Sequence, residues 1–265
     1  MRRLRLLRIQ DVTHLCKHLG SSPNELAHLC LKPEWYYRQG PRRIKGKTRH
    51  IATPQGRLRQ ILDRLQALLQ RVVLPESIHG GVKGHSPRTN AVVHLRKPVV
   101  LCMDIKDFFP SITNRRVYAM FRETLKCAQD VPQGSPTSTI VAALSTVRLS
   151  NRLEQLANRH IATYTQYVDD VTISGPEHID RMVPLLGEII KQEGLRANKA
   201  KTKIARGGEE KCVTGIRVNM VPDVTSKKMK EVRALLASAD FSVDRHQQVG
   251  SLQGKVRYIE GLNQG

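Results

Sequence analysis

The sequence predicts an α+β fold. Residues 98–105 form an apolar run with an aspartate at its next-to-last position, which is typical of a buried strand. In other segments leucine and isoleucine recur every three or four residues, which indicates amphipathic helices. The two kinds of segment alternate without a regular βαβ rhythm, so an α+β arrangement is favoured over a doubly wound sheet.

The first half of the chain is predicted to be mostly helical. Residues 1–40 have the apolar spacing of two basic helices. Residues 42–51 carry two short basic segments around a glycine, which predicts a hairpin. A helix is expected over residues 58–73, and a glycine-rich loop follows at residues 79–86.

The second half is predicted to mix helices with strands. Helices are expected over residues 114–126, the apolar end of 131–149, 178–193 and the basic tail from 226 onward. Strands are expected over residues 98–105, in two arms of 164–174 around an Asp-Asp turn, and over 213–218. A basic turn is expected around Asn198 and Lys201.

The charge of the chain predicts a polyanionic partner. Its 44 Lys and Arg residues outnumber 23 Asp and Glu residues, which leaves a formal net charge of +21 over 265 residues. Such an excess favours nucleic acid or an anionic membrane surface. No apolar run approaches the roughly 20 residues of a membrane span, and Arg5 and Arg8 interrupt the first one. We therefore expect a cytoplasmic protein without a membrane partner.

The cysteine and aromatic contents exclude some classes of protein and favour one mode of nucleic-acid binding. Five cysteines without a close pair fit neither a disulfide framework nor a structural zinc site. Aromatic residues make up only 4% of the chain, which disfavours recognition by aromatic platforms that stack on single-stranded bases. Contact with a nucleic-acid backbone or duplex fits this composition better.

Three acidic residues stand in apolar surroundings. Asp104 ends the predicted strand 98–105, and Asp169 and Asp170 occupy the predicted turn. An ionised carboxylate beside apolar neighbours is costly unless it is paired or binds a metal. Clustered carboxylates bind Mg²⁺, and two such ions support an in-line displacement at phosphorus. The alternative is an ordinary Asp-Asp turn, with Asp104 paired to an arginine. The three residues by themselves leave both interpretations open.

Longer motifs carry a family resemblance. The segments LCMDIKDFFPSI (101–112), PQGSPTS (132–138) and QYVDD (166–170) occur in this order and together resemble the palm motifs of reverse transcriptases. The segments NAVVH (90–94) and VTG (213–215) resemble the NAxxH and VTG motifs of bacterial retron reverse transcriptases. The resemblance runs from about Arg42 to the C-terminus. Two departures are the 19 residues between Ile112 and Pro132, where the family has a longer insertion, and PTST in place of PTSP.

The resemblance implies a right-hand polymerase. Such a fold has fingers, a palm of antiparallel sheet plus helices, and a small helical thumb. The implied division is an N-terminal helical extension (1–40), fingers (41–97), palm (98–221, with a fingers element at about 113–131) and thumb (222–265).

The resemblance also assigns the catalytic residues. Asp104 and Asp169 would bind two Mg²⁺ ions, for which Mn²⁺ would substitute, and the Ile105 carbonyl would assist. Asp170 would complete the acidic cluster. Each of the three aspartates is therefore a candidate catalytic residue and metal ligand.

A further group is implied at the incoming nucleotide. Phe109 would act as an aromatic gate against a 2′-OH, although core packing is the alternative for a Phe-Phe pair. Lys201 would serve as an acid toward pyrophosphate. The remaining members are Lys47 and Arg49 on the triphosphate, and Gln133 and Gly134 over the nucleotide. Their alternatives are a solvated basic surface and a simple helix-entry turn.

RNA-binding residues are implied in three places. Asn90 and His94 are spaced i, i+4, could share one helix face, and would contact RNA or position the template. The alternative for His94 is an ordinary core or surface histidine. The other candidates are Val213, Thr214 and Gly215, and Lys227, Lys228 and Lys230 in the thumb. Their alternatives are an unremarkable strand and a solvated helix face.

The function implied is RNA-directed DNA synthesis of the retron type. The enzyme would copy part of a cognate structured noncoding RNA into single-stranded DNA from dNTPs. A guanosine 2′-OH would prime synthesis and give a branched RNA–DNA, in antiphage defence with a separate effector protein. The alternatives are another small bacterial reverse transcriptase, group II intron-like or abortive-infection-like, and a non-catalytic RNA-binding protein on a palm scaffold.

Overall fold

The computed structural model describes residues 9–44, 47–124, 138–226, 228–230 and 234. The chain divides into two compact units. The first unit contains Met1–Glu76, Gly80–Lys83 and Asp107–Arg148. The second unit contains Ser77–His79, Gly84–Lys106 and Leu149–Gly265.

Helices and antiparallel strands occur in both units, which confirms the predicted α+β class. The helices are α1 (Val12–Leu19), α2 (Pro23–Leu31), α3 (Gly56–Leu69), α4 (Pro87–Val92), α5 (Phe108–Ser111), α6 (Asn114–Ala119), α7 (Ser138–Ser145), α8 (Val147–Arg159) and α9 (Val183–Gln192). The strands are β1 (Tyr37–Ile44), β2 (Lys47–Pro54), β3 (Val99–Ile105), β4 (Thr163–Tyr167), β5 (Asp170–Gly175), β6 (Ala197–Arg206), β7 (Cys212–Val213), β8 (Ile216–Arg217) and β9 (Asp223–Val224). Shorter helical turns cover Pro33–Tyr36, Met120–Thr124 and Glu177–Met182.

The first unit is built on the apolar faces of α1, α2 and α3. Their leucines share one core with residues of α7, including Leu15, Leu69 and Leu144. Arg57 of α3 donates to Glu25 of α2 at 2.6 Å, and this guanidinium lowers the pKa of Glu25 to about 2. The same arginine donates to a backbone carbonyl at the end of α1, so one side chain joins all three helices.

The predicted hairpin of the first unit is confirmed and is longer than expected. Strands β1 and β2 pair antiparallel over eight residues each, from Tyr37 opposite Pro54 to Ile44 opposite Lys47. The sequence pattern captured only its basic tip.

The second unit is organised around β3. This strand lies inside a four-stranded sheet of order β4-β5-β3-β6, in which every neighbouring pair is antiparallel. Six of its seven residues are buried, which explains its uninterrupted apolar sequence. Strands β7, β8 and β9 form a separate three-stranded sheet.

Two expected elements of the second unit are wrong. The basic turn around Asn198 is instead part of β6, a ten-residue strand. The strand expected over 213–218 is a hairpin of β7 and β8, because Thr214 and Gly215 both adopt positive φ angles, 48° and 83°. Positive φ at both central residues is the requirement of a tight type I′ turn.

Several helix boundaries also differ from the pattern. In the described part, the apolar helix expected within 131–149 is two helices. Helix α7 begins at Ser138 and ends before Thr146, and α8 begins at Val147 and ends at Arg159. The hydroxyl of Thr146 donates to the Ala142 carbonyl at 2.9 Å. The helix expected over 178–193 begins as the tighter turn Glu177–Met182 and becomes α-helical at Val183.

Within the part of the chain that the structure describes, no helix is both long enough and apolar enough to cross a membrane.

Candidate active site

Three strand ends bring the predicted acidic residues together. Asp104 near the end of β3 lies directly opposite Asp170 at the start of β5, and also opposite Asn198 on β6. Directly opposed residues of antiparallel strands project to the same face. Asp169 precedes β5, and its backbone carbonyl accepts a hydrogen bond of 2.9 Å from the Ile105 amide. The sheet therefore gathers residues that are far apart in the sequence.

The turn that carries Asp169 is strained. Strands β4 and β5 are joined by only Val168 and Asp169, and Val168 has a φ of 58°. A positive φ is costly for a β-branched residue and is found mostly where function requires it. The Gln166 amide donates to the Val168 carbonyl at 3.0 Å, so this buried glutamine supports the turn. Sequence reasoning did not assign Gln166 a role, although the residue opens the QYVDD motif.

Asp104 is held by two polar side chains of β6. Its Oδ2 accepts from Lys201 Nζ at 2.8 Å, and its Oδ1 accepts from Asn198 Nδ2 at 3.0 Å. Only 9% of the Asp104 surface is exposed, so these bonds offset the cost of burying a charge. The partner is a lysine, not the arginine of the alternative interpretation. The sequence pattern missed Asn198 as a partner, because it predicted a turn where β6 aligns the amide with Asp104.

Lys201 is the cation of this site. Its pKa is raised, first by the hydrogen bond to Asp104 and also by the negative charges of Asp104, Asp169 and Asp170. Lys201 is therefore a protonated donor beside the acidic residues at neutral pH. The predicted acid role is compatible with this state and stays a prediction.

The donor chemistry of the site fits a hard cation. Carboxylate and backbone carbonyl oxygens are the ligands that Mg²⁺ prefers. Among the described residues, however, no three His, Cys, Asp or Glu side chains converge on one metal position. The Oδ2 atom of Asp104 is paired with Lys201 in this structure, so a cation at that atom would compete with the ammonium group.

Phe109 lies on α5 in the first unit and has an exposed ring. It is 45% exposed, whereas its neighbour Phe108 is 4% exposed. The two rings meet edge to face with centroids 5.6 Å apart. Core packing therefore explains Phe108 but not Phe109, and the gate assignment of Phe109 stays a prediction.

Several other predicted contacts fall where the structure describes little. Lys47 and Arg49 lie on β2, but their side chains are outside the described part. Gln133, Gly134 and Lys227 lie outside the described residues altogether. Lys228 is half-buried and Lys230 is exposed, which leaves their RNA-binding role a prediction.

The NAxxH segment has an internal position. Helix α4 ends at Val92, so His94 lies beyond it and the expected shared helix face is wrong. The His94 ring is 0% exposed and forms hydrogen bonds with Ser174 Oγ at 2.6 Å and Thr165 Oγ1 at 2.8 Å. Burial lowers the pKa of His94 to about 3, and the nearby His79 and Lys97 act in the same direction. Its ring therefore connects the segment after α4 to strands β4 and β5.

Asn90 is buried like His94. The side chain of Asn90 is 1% exposed, and its Oδ1 lacks a hydrogen-bond partner among the described residues. Neither Asn90 nor His94 reaches the surface, and the direct RNA contact implied for these two residues stays a prediction. Positioning of the template, the other role implied for both residues, also stays a prediction.

The VTG turn packs against the same helix. Thr214 Oγ1 donates to the Pro87 carbonyl at 3.0 Å, across 127 sequence positions. Val213 is fully buried in one core with Ala91. The two motifs therefore form one structural module, although nothing in their separate sequences indicates this contact.

The comparisons with known proteins agree with this architecture. A family model described as reverse transcriptase (RNA-dependent DNA polymerase) matches residues 32–235. The chain therefore belongs to the reverse transcriptase family.

Within that family the chain is similar to bacterial retron enzymes. The retron Mx65 reverse transcriptase of Myxococcus xanthus is 32% identical over 252 residues, which cover 82% of this chain and 59% of that protein. The retron Ec86 reverse transcriptase of Escherichia coli is 31% identical over 210 residues, which cover 73% and 63%. These relatives confirm the predicted retron resemblance. The chain spans about three fifths of their length.

A solved structure is also similar over most of the chain. A foamy viral protease-reverse transcriptase, in complex with an RNA/DNA hybrid, aligns with a TM-score of 0.49 and 16% identity. The alignment covers 84% of this chain and 27% of that one.

Proposed function

We propose that the chain is an RNA-directed DNA polymerase of the retron type. The observation that carries the proposal is the register of β3 and β5, in which Asp104 and Asp170 are opposed and Asp169 occupies the adjoining turn. Carboxylates at adjoining strand ends are the arrangement that nucleotidyl transfer with hard cations requires. The substrates would be dNTPs, and the template would be part of a cognate structured noncoding RNA.

Asp104 and Asp169 would hold two Mg²⁺ ions, with the Ile105 carbonyl and Asp170 completing the set. When bound, such ions activate the attacking hydroxyl and stabilise the departing pyrophosphate. The protonated Lys201 would exchange its bond to Asp104 for one to the pyrophosphate oxygens and would serve there as the acid. Asn198 would keep the Asp104 carboxylate oriented through its 3.0 Å hydrogen bond.

The incoming nucleotide would be recognised by residues of several segments. The exposed ring of Phe109 would exclude a ribose 2′-OH. Gln133 and Gly134 would lie over the nucleotide, and Lys47 and Arg49 would bind its triphosphate through charge-assisted hydrogen bonds.

The RNA would be recognised chiefly through the module of α4 and the β7–β8 hairpin. Thr214 and Gly215 would contribute the contact surface, while the buried Val213, Asn90 and His94 would position it from inside. Lys227, Lys228 and Lys230 would contact the RNA backbone from the thumb. The similarity to retron reverse transcriptases supports this mode of RNA recognition. It also supports the proposals that a guanosine 2′-OH primes synthesis and that the chain acts in defence with a separate effector protein.

A non-catalytic RNA-binding protein on a palm scaffold is the second candidate. It would account for the net charge of +21. It would not require opposed carboxylates at a sheet end or a strained valine beside them, because both features cost stability without improving RNA affinity. The catalytic interpretation is therefore favoured.

The substitution Asp169→Asn tests this proposal. The neutral amide removes a charge that the reaction requires, so we expect DNA extension with the cognate RNA and dNTPs in Mg²⁺ to fall by at least about 10³-fold. RNA affinity should change by less than about three-fold, because only one side chain changes charge. The matched control is Asp63→Asn on the surface of α3, which should extend DNA normally. Normal extension by the Asp169 variant would show that the acidic cluster is not catalytic.

The sugar gate has a separate test. Phe109→Ala should raise misincorporation of ribonucleotides by about ten-fold or more, because a missing steric contact is worth roughly 1–3 kcal/mol of discrimination. The ratio of kcat/KM for dNTP and NTP measures it. Tyr118→Ala, which removes an aromatic ring of similar exposure, is the control. Unchanged sugar selectivity in the Phe109 variant would contradict the gate.

A further inference from the structure

A groove lies between α9 and β6 in the second unit. It has a volume of about 800 Å³. Met103 and Leu195 line it with buried side chains, and Val183 and Pro184 add an apolar wall. A concave space of this size with an apolar lining is of the kind that holds a small molecule or a single residue of a polymer.

The groove is distinct from the candidate active site. Met103 and Asp104 are successive residues of β3, so their side chains project to opposite faces of the sheet. Met103 lines the groove, whereas Asp104 contacts Lys201 and Asn198 on the other face.

The polar lining of the groove is predominantly cationic. Lys191, Arg196 and Lys199 line it together with a single acid, Glu188. Lys191 and Lys199 are exposed, and neither forms an ion pair with any residue that the structure describes. Such a lining selects an anionic ligand.

A glycine inside α9 keeps the groove open. Gly187 lines the groove, and a Cβ atom added there would meet no atom within 4 Å. Glycine in a helix interior is destabilising relative to alanine. The helix therefore has a destabilising glycine at the position where any larger residue would project its side chain into the groove.

We propose that this groove binds one nucleotide of a single-stranded nucleic acid. The base would lie on the apolar lining beside Met103 and Val183, and the flanking phosphates would contact Lys191 and Lys199. The apolar lining favours an unpaired nucleotide, because a duplex keeps its bases stacked inside and presents only its charged backbone. The net charge of +21 makes a polyanion the fitting partner for this cationic edge. The proposal deepens the polymerase function and rests on it, since the strand would be the RNA or its DNA copy.

Photo-crosslinking of the full chain tests the proposal. The probes are 12-nucleotide oligouridylate and oligothymidylate, each with one central 4-thio base, and the crosslinked peptides are identified by mass spectrometry. We expect crosslinks within residues 183–202. Crosslinks from RNA alone would assign the groove to the RNA, and crosslinks from DNA alone to the copy. Absence of crosslinks in this segment with both probes would overturn the proposal.

Two variants separate a binding groove from a merely charged surface. Gly187→Leu should fill the groove and reduce these crosslinks at least ten-fold, while its thermal midpoint stays equal or rises because a helix former replaces glycine. The double variant Lys191→Glu with Lys199→Glu should have the same effect on crosslinking. The control pair Lys17→Glu with Arg71→Glu reverses two exposed charges elsewhere and should reduce the crosslinks less than three-fold. Equal losses in groove and control variants, or displacement of the probes by a polyglutamate peptide of equal length, would contradict a nucleotide site.

Failure of the groove proposal and failure of the polymerase proposal give different results. Asp169→Asn leaves the groove intact, so it should crosslink like the unaltered chain while losing DNA extension. A chain that crosslinks at residues 183–202 but never extends DNA would retain the groove proposal and reject the polymerase one.

Discussion

His94 shows how much one buried side chain contributes at the residue scale. Both of its ring nitrogens have hydroxyl partners on the central sheet, and its surroundings keep the ring neutral. The Asp104–Lys201 pair behaves differently, because the Lys201 side chain is largely exposed. The Asp104 side chain is only 11% exposed, so the ammonium group offsets the cost of burying this carboxylate, while water around Lys201 weakens the attraction.

The depressed pKa of His94 predicts a pH-dependent stability. The folded protein binds the proton of His94 only near pH 3, whereas the unfolded chain binds it near pH 6.5. The unfolded state therefore gains protons first on acidification, and this group lowers the free energy of unfolding as pH falls from about 6.5 toward 3. Between pH 7 and pH 5 the loss should be about 2 kcal/mol.

Urea denaturation at both pH values measures this loss. The variant His94→Gln should show a smaller decrease between pH 7 and pH 5 than the unaltered chain, whatever its stability at pH 7. His28→Gln, at an exposed position of α2, should retain the original decrease. If the free energy of unfolding of the His94 variant decreased as much as that of the unaltered chain, the buried neutral ring would not be the source of the pH dependence.

At the scale of elements, two tight turns fix the backbone geometry of the family motifs. The β4–β5 turn keeps Val168 at positive φ next to Asp169, and the β7–β8 turn keeps Thr214 and Gly215 at positive φ next to α4. In both cases a motif of the family coincides with a two-residue connection between paired strands. These motifs therefore set backbone geometry as well as presenting side chains.

The β7–β8 turn can be tested with a matched pair of substitutions. Gly215→Val should lower the free energy of unfolding by about 1–2 kcal/mol, because valine does not tolerate a φ of 83°. Gly215→Asn should cost less, since asparagine tolerates the left-handed region. A Cβ at this position would meet no atom within 4 Å, so crowding does not contribute. Equal losses by chemical denaturation in the two variants would rule out the turn geometry as the cause.

The net charge of +21 acts at the scale of the whole molecule. Within this positive molecule, Asp104, Asp169 and Asp170 form a small acidic centre. Lys201 lies in its field and donates a hydrogen bond to Asp104. The net charge thus attracts a polyanion to the molecule as a whole, whereas the proposed metal ions would bind at the acidic centre.

The affinity for RNA should therefore depend strongly on salt. Each neutralised phosphate contributes roughly −0.7 to −0.9 to the slope of log affinity against log salt concentration. Titration of a structured RNA between 50 and 300 mM KCl should give a slope of several such increments. A methylphosphonate analogue of a single strand, which lacks backbone charge, serves as the control and should bind weakly with almost no slope. A flat response with RNA would show that the basic excess does not contact the backbone.

The sequence by itself determined those features that depend on neighbouring residues. The apolar run of β3 and the family motifs are local patterns of burial and turn chemistry, and they located all three aspartates. The predicted Asp-Asp turn is one residue out of place, because Val168 and Asp169 form the turn and Asp170 already belongs to β5. The domain boundaries implied by the resemblance stay predictions. Only the tertiary structure decided which residues meet: Lys201 and Asn198 at Asp104, the VTG turn at α4, and the groove between α9 and β6. The side-chain contacts at Asp104 and at α4 join positions 94, 97 and 127 residues apart. Their geometry depends on strand register and on the packing of helices, and no local sequence pattern specifies either of these.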